Sequence, residues 1–210
     1  MKIATFGCSW SQGLETVDNG YCWPLAIAQA NPEWEIDNFA LAGSSFSFQA
    51  YLLDDVLNKN QYDKIIFQIT SPFRLTYFDD QTDYGKYFKT VDNYRYLDCS
   101  TDIYRQFICI TPGHMSLNKQ DSFWHYPDKY DFAKLHYKYT NKQISKIEYR
   151  ALFDYVKSKT DFVFLHNEDV CGIGVPVLMD IVGDKFVADE GEHFNAKGSQ
   201  WVANWVLDNL

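Results

Sequence analysis

The first seventy residues switch repeatedly between two hydrophobic periods, and this alternation constrains the fold more than any other feature. Lys2 to Phe6 is a short, apolar, partly β-branched run that reads as a buried strand. Tyr21 to Ala30 reads as a helix, with Pro24 suited to its first turn and Asn31-Pro32 to end it. Trp34 to Phe39 alternates as a second strand, and Phe46 to about Leu57 returns to helical spacing through Phe48, Leu52, Leu53 and Val56. Asp63 to Ile69 is continuous, apolar and β-branched, as a strand covered on both faces must be. Strand, helix, strand, helix, strand predicts parallel β-α-β units with helices on both sides of a sheet. The expected class is α/β: a three-layer sandwich around a mostly parallel central sheet.

With 210 residues the chain suits a single domain, 1–210. From roughly Phe73 to Tyr139 the periodicity is lost and aromatic residues crowd in, among them Tyr77, Tyr87, Tyr94, Phe107, Trp124 and Tyr130. A structureless loop of that length is uncommon, so this stretch is expected to fold as an insertion or lid. Its aromatics would build a satellite core, support a homo-oligomer, or face a substrate. Regular patterning resumes with a helix over Asn141 to Lys157, whose apolar spacing runs through Ile144, Ile147, Leu152, Phe153 and Val156, a strand over Asp161 to Leu165 that leads to His166, and short apolar segments between Val175 and Val187. Ala196 to Leu210 is an amphipathic closing helix with Trp201, Val202, Trp205, Val206 and Leu210 on its inner side.

The charge balance removes several function classes. The formal net charge is -9, and no Lys/Arg run exceeds two residues. Nucleic acid and anionic membrane surfaces are therefore not expected as partners. No apolar window is long enough for a membrane span, and no secretory leader is expected. The five cysteines are odd in number and never spaced Cys-x-x-Cys, which points to reduced thiols in a cytoplasm. His114, His125 and His136 lack metal-ligand spacing, so neither a metal nor another cofactor is expected.

The chemistry-bearing residues lie at the two ends of the chain. The first strand runs into Gly7-Cys8-Ser9-Trp10-Ser11-Gln12-Gly13, where a sharp turn would hold Ser9 at the carboxyl end of the sheet. An ordinary turn with a capping serine reads equally well on this segment alone. Before the last helix comes Asp189-Glu190-Gly191-Glu192-His193-Phe194-Asn195. A histidine acting as base for a serine needs a carboxylate on its other ring nitrogen, and the spacing of Glu190 to His193 lets one turn supply both.

Taken in order, these segments resemble the SGNH (GDSL-like) hydrolase family over almost the whole chain. Gly7 to Gly13 is similar to the family's first block, with Cys8 where an Asp usually precedes the nucleophile. Trp23-Pro24-Leu25-Ala26 is similar to the helix that follows it. Asn38-Phe39-Ala40-Leu41-Ala42-Gly43 resembles the second block, and Glu190 to Gly198 resembles the last, Asp-x-x-His followed by a helix. The resemblance implies a flavodoxin-like SGNH fold. It also implies a catalytic Ser9 and His193, with Glu190 or Asp189 orienting the histidine. The N–H groups of Ser9 and Gly43 would bind the oxyanion.

One block departs from the family. The Asn of Gly-x-Asn-Asp falls on Pro72 within Thr70-Ser71-Pro72-Phe73-Arg74. Losing one oxyanion donor costs about two to three orders of magnitude in rate unless something replaces it. Thr70, Ser71 and Arg74 are the candidate replacements, and Arg74 also suits a carboxylate-bearing substrate. The resemblance implies a serine esterase acting on a small acyl ester, such as an O-acetylated carbohydrate. The alternative is a catalytically degenerate relative that binds a ligand or protein partner through the aromatic insertion. A nucleotide-binding protein is not expected, because Gly7 to Gly13 lacks the phosphate-loop lysine.

Overall fold

A computed structural model of the protein describes residues 1–12, 22–71, 74–78, 84–98, 107–110, 135, 138, 142–166, 169, 171–182 and 194–210. Its strands are β1 (Lys2–Phe6), β2 (Glu35–Asn38), β3 (Lys64–Ile69), β4 (Leu75–Phe78), β5 (Phe88–Val91), β6 (Tyr94–Leu97), β7 (Phe107–Ile110) and β8 (Phe162–Leu165). The helices are α1 (Ser9–Gln12), α2 (Trp23–Ala30), α3 (Phe46–Lys59), α4 (Lys142–Lys157), α5 (Leu178–Val182) and α6 (Ala196–Asp208). Six strands form one sheet in the order β5-β6-β2-β1-β3-β8, while β4 and β7 pair separately. Only the β5–β6 contact in the main sheet is antiparallel. This is the α/β three-layer architecture expected from the sequence.

Side-chain alternation along the strands builds the two outer layers. Ala4, Phe6, Ile65, Phe67, Val163 and Leu165 face a core closed by α3 and α4. Their neighbours Ile3, Ile66, Phe162 and Phe164 face a second core closed by α2, α5 and α6. A period of two turns each strand into two buried faces, which explains why β3 has no solvent-facing side beyond Lys64. The helices begin where local chemistry starts them. The Ser45 hydroxyl accepts from the Phe48 N–H at 3.2 Å, and the Asn195 side-chain oxygen accepts from the Gly198 N–H at 2.9 Å.

Two features differ from the sequence reading. A hairpin from inside the 73–139 stretch joins the main sheet, with β5 against β6 and β6 parallel to β2. Its two-residue turn places Asp92 at φ 52°, a left-handed position that Asp tolerates better than most residues. Tyr94 from this hairpin is a core residue, 1% exposed. The rest of the aromatic run, 99–106 and 111–134, lies outside the described residues. The second difference is in α4. Ile144 and Ile147 are exposed, while Tyr149, Phe153 and Val156 are buried. At about 100° per residue the two isoleucines fall on the opposite side of the helix from that buried stripe. Among the described residues, no helix is long and apolar enough to cross a membrane.

Candidate functional site

The carboxyl ends of β1, β2 and β3 carry a buried polar layer on the face toward α2 and α6. Each strand places an isoleucine in that core (Ile3, Ile36, Ile66) and then, two residues on, a polar side chain: Thr5, Asn38 and Gln68. All three are fully buried. Buried polar groups are tolerated where they are paired, and here they pair with the turn that carries Ser9.

Asn38 uses its whole hydrogen-bonding capacity. Its Oδ1 accepts from Thr5 Oγ1 at 3.0 Å and from the Ala40 N–H at 3.1 Å. Its Nδ2 donates to the Ser11 carbonyl and to Tyr94 Oη, each at 2.7 Å. Tyr94 Oη in turn meets Cys22 Sγ at 3.3 Å. Burial pushes the Cys22 thiol up to about 11 and raises Tyr94 well above its usual range, so both stay neutral.

Ser11 heads a second chain of bonds. Trp23 Nε1 donates to Ser11 Oγ at 3.0 Å, and Ser11 Oγ donates to Gln68 Oε1. That fixes the Gln68 amide, whose Nε2 faces His166 Nδ1 at 3.2 Å. The amide therefore donates to Nδ1, and the neutral imidazole carries its proton on Nε2. His166 is buried and lies against Trp10, with ring centroids 3.8 Å apart. The structure gives His166 a structural place in this chain of bonds.

Gly7 is required by close approach rather than by its backbone angles. A Cβ built there would lie 2.5 Å from Ser11 Oγ and 3.1 Å from Gln68 Cβ. Both backbone groups of Gly7 are used to hold the second loop. Its N–H donates to Gln49 Oε1 at 3.1 Å, and its carbonyl accepts from the Leu41 N–H at 3.2 Å. Gln12 completes the link: its Oε1 accepts from the Ala42 N–H at 2.5 Å and its Nε2 donates to the Leu97 carbonyl at 3.2 Å. These bonds lead directly to Gly43, whose φ of 72° is a left-handed position natural to glycine. Among the described residues nothing accepts from the Gly43 N–H.

Ser9 opens α1, where the Cys8 carbonyl accepts from the N–H groups of Ser11 and Gln12 at 3.0 and 2.9 Å. Among the described residues no group is hydrogen-bonded to the Ser9 hydroxyl, in contrast to the fully engaged Ser11 two positions on. Cys8 is 1% exposed and serves as packing. Thr70, Ser71 and Arg74 follow β3. The Thr70 carbonyl accepts from Tyr149 Oη at 3.0 Å, and the Ser71 carbonyl accepts from the Arg74 N–H at 3.3 Å. Pro72, Asp189, Glu190 and His193 lie outside the described residues. Phe194, which directly follows His193 in the chain, is described. Its ring packs edge-on against Trp10, the neighbour of Ser9, at a centroid distance of 4.5 Å.

The sequence reading missed Thr5, Gln12, Asn38, Gln49 and Gln68. For Thr5, Asn38 and Gln68 the signal was present as a polar residue near the carboxyl end of each strand, whereas Gln12 and Gln49 lie on α1 and α3. Among the described residues no cluster of His, Cys, Asp and Glu could hold a metal ion.

No protein-family description matches the chain, and no curated protein matches it. Solved structures do. The protein named TesA superposes with a TM-score of 0.51 at 8% identity, covering 100% of this chain and 98% of that one. A G-D-S-L family lipolytic protein from Veillonella parvula gives 0.48 at 10% identity, covering 99% and 97%. An acetyl xylan esterase gives 0.45 at 13% identity, covering 100% of both chains. At these identities the likeness is one of fold, carried by TesA, and the fold is that of the SGNH (GDSL-like) hydrolases.

Proposed function

We propose that the protein is a serine esterase acting on a small acyl ester, with Ser9 as nucleophile and His193 as base. The observation that carries this reading is the packing of Trp10 on Phe194 at 4.5 Å, which joins the segment after β1 to the segment before α6. The unengaged Ser9 hydroxyl and the Gly43 N–H also support it. Ser9 Oγ attacks the ester carbonyl carbon as its proton passes to His193, oriented by Glu190 or Asp189. The negative charge that develops on the carbonyl oxygen is met by the N–H groups of Ser9 and Gly43. The bond to the alcohol then breaks, and His193 returns the proton to the departing oxygen. Water, deprotonated by His193, cleaves the acyl-serine and releases the acid. An O-acetylated carbohydrate is the substrate class that the resemblance suggests. The buried free thiols Cys8, Cys22 and Cys171 suit a reducing, cytoplasmic setting.

Intact-mass labelling with a fluorophosphonate tests the assignment. One adduct is expected on the native protein and none on Ser9→Ala or His193→Ala. A folded native protein that takes no label would overturn the hydrolase reading and favour a ligand-binding role for the same fold.

A further inference from the structure

Among the described residues, three buried side-chain polar atoms have no hydrogen-bond partner: Thr70 Oγ1, Arg74 Nη1 and Arg95 Nε. The last is compensated, because Arg95 Nε lies 3.2 Å from Asp37 Oδ1 and its guanidinium sits over the Phe88 ring at 4.4 Å. The other two are not. None of the ion pairs among the described residues includes Arg74. Both orphans fall within five residues of each other, after the strand that neighbours β1.

Strand register places this loop beside the nucleophile. Phe6 pairs with Phe67, and Ser9 and Thr70 each lie three residues beyond that pair. The loop is also tied to the Gly43 segment, because the Ser45 N–H donates to Thr76 Oγ1 at 2.7 Å. Thr76 is two residues past Arg74, and Ser45 two past Gly43. A hydroxyl and a guanidinium N–H withdrawn from water, and left without an acceptor, are costly unless a ligand supplies one. A guanidinium meets a carboxylate through two parallel N–H bonds, a geometry that favours this anion.

We propose that Thr70 and Arg74 form an anion subsite, and that the natural substrate is an ester carrying a second, ionised carboxylate. This rests on the esterase reading and narrows its substrate class. Arg74 pairs with the free carboxylate, and the Thr70 hydroxyl donates to it. The ester bond is thereby held over Ser9.

The test compares esters matched in size but not in charge, with released acid followed by pH-stat titration. Monomethyl succinate against methyl butyrate places the charge in the acyl part, and 3-acetoxypropanoate against butyl acetate places it in the alcohol part. One charged member is expected to exceed its neutral partner in kcat/KM by about 10- to 100-fold, the worth of a charge-assisted bond. That ratio should fall toward unity in Arg74→Gln and survive in part in Arg74→Lys, both checked for native-like melting. No charge preference in either pair, on protein whose Ser9 takes a fluorophosphonate, overturns the subsite and leaves the esterase standing. If no label and no turnover appear, calorimetric titration of monomethyl succinate and of 3-acetoxypropanoate into the protein decides. Arg74-dependent binding of either keeps the anion site without the esterase, and no binding overturns it.

Discussion

The turn after β1 and the loop after β3 stand side by side at the same edge of the sheet, yet their polar atoms are treated in opposite ways. In and around the first, Ser11 and Gln12 of the turn and Asn38, Gln49 and Gln68 of β2, α3 and β3 are fully buried and all are paired. In the second, Thr70 Oγ1 and Arg74 Nη1 are buried and unpaired. Satisfied groups cost nothing further and lock geometry, whereas unsatisfied ones store a cost that a ligand can remove. The first region therefore reads as the frame of the site, and the second as the part that meets a ligand.

Ser9 and Ser11 give the largest contrast. Ser9→Ala is expected to lower ester turnover by about four orders of magnitude or more. Its urea midpoint should stay within the scatter of surface substitutions, since no described residue bonds that hydroxyl. Ser11→Ala should do the reverse. It strands Trp23 Nε1 and Gln68 Oε1 and should cost about 2–4 kcal/mol of stability. If both serines behaved alike in either measurement, the division between frame and chemistry would fail.

Asn38→Leu has the largest expected effect on stability, and it tests whether the frame is one network. The substitution removes four hydrogen bonds: Thr5 and two backbone groups lose a partner, and Tyr94 Oη keeps only Cys22 Sγ. A loss of about 3–5 kcal/mol is expected from urea unfolding at unchanged m-value. A loss below about 1 kcal/mol would mean that water or neighbours replace the amide readily.

Gly7→Ala is expected to cost about 1–3 kcal/mol, because the added methyl group meets Ser11 Oγ at 2.5 Å and Ser11 Cβ at 3.0 Å. In a Ser11→Ala background the nearer atom is gone, so the increment should shrink. A double-mutant cycle by thermal unfolding reads that coupling directly. Strict additivity would show that the strain lies elsewhere, for instance against Gln68.

How much of this was legible in the sequence depended on whether a residue's role was local. The strands and helices up to Ile69 were readable because period and capping are properties of neighbours, as with Pro24 or Asn31-Pro32. The turns at Gly7 and Gly43 were readable because a short run of small residues follows a strand in both places, while the roles given to Ser9 and Gly43 rest on the resemblance. The hairpin β5–β6 was not, since Phe88 to Val91 carries three exposed residues, Lys89, Thr90 and Val91, at an edge where alternation weakens. Nor was the polar layer. A polar residue inside an apolar strand announces a buried partner, but only the fold reveals that Asn38 meets Tyr94, which lies 56 positions away. The roles of Asp189, Glu190 and His193 rest on the sequence resemblance alone.

The smallest expected effect on stability is the most discriminating. Thr70→Val keeps shape and removes a hydroxyl that is 3% exposed and has no partner. Relieving an unsatisfied buried polar group should leave stability unchanged or raise it by up to about 1 kcal/mol. The same substitution in the β1 frame, Thr5→Val, removes the donor to Asn38 Oδ1 and should cost about 1–2 kcal/mol. The two threonines are of one type, both buried, and both at the carboxyl ends of neighbouring strands, so the comparison isolates pairing from burial. Urea midpoints for the two variants would differ in sign or at least in size. If Thr70→Val destabilised as much as Thr5→Val, its hydroxyl would have an acceptor in the folded chain. Arg74 would then have to carry any anion recognition alone.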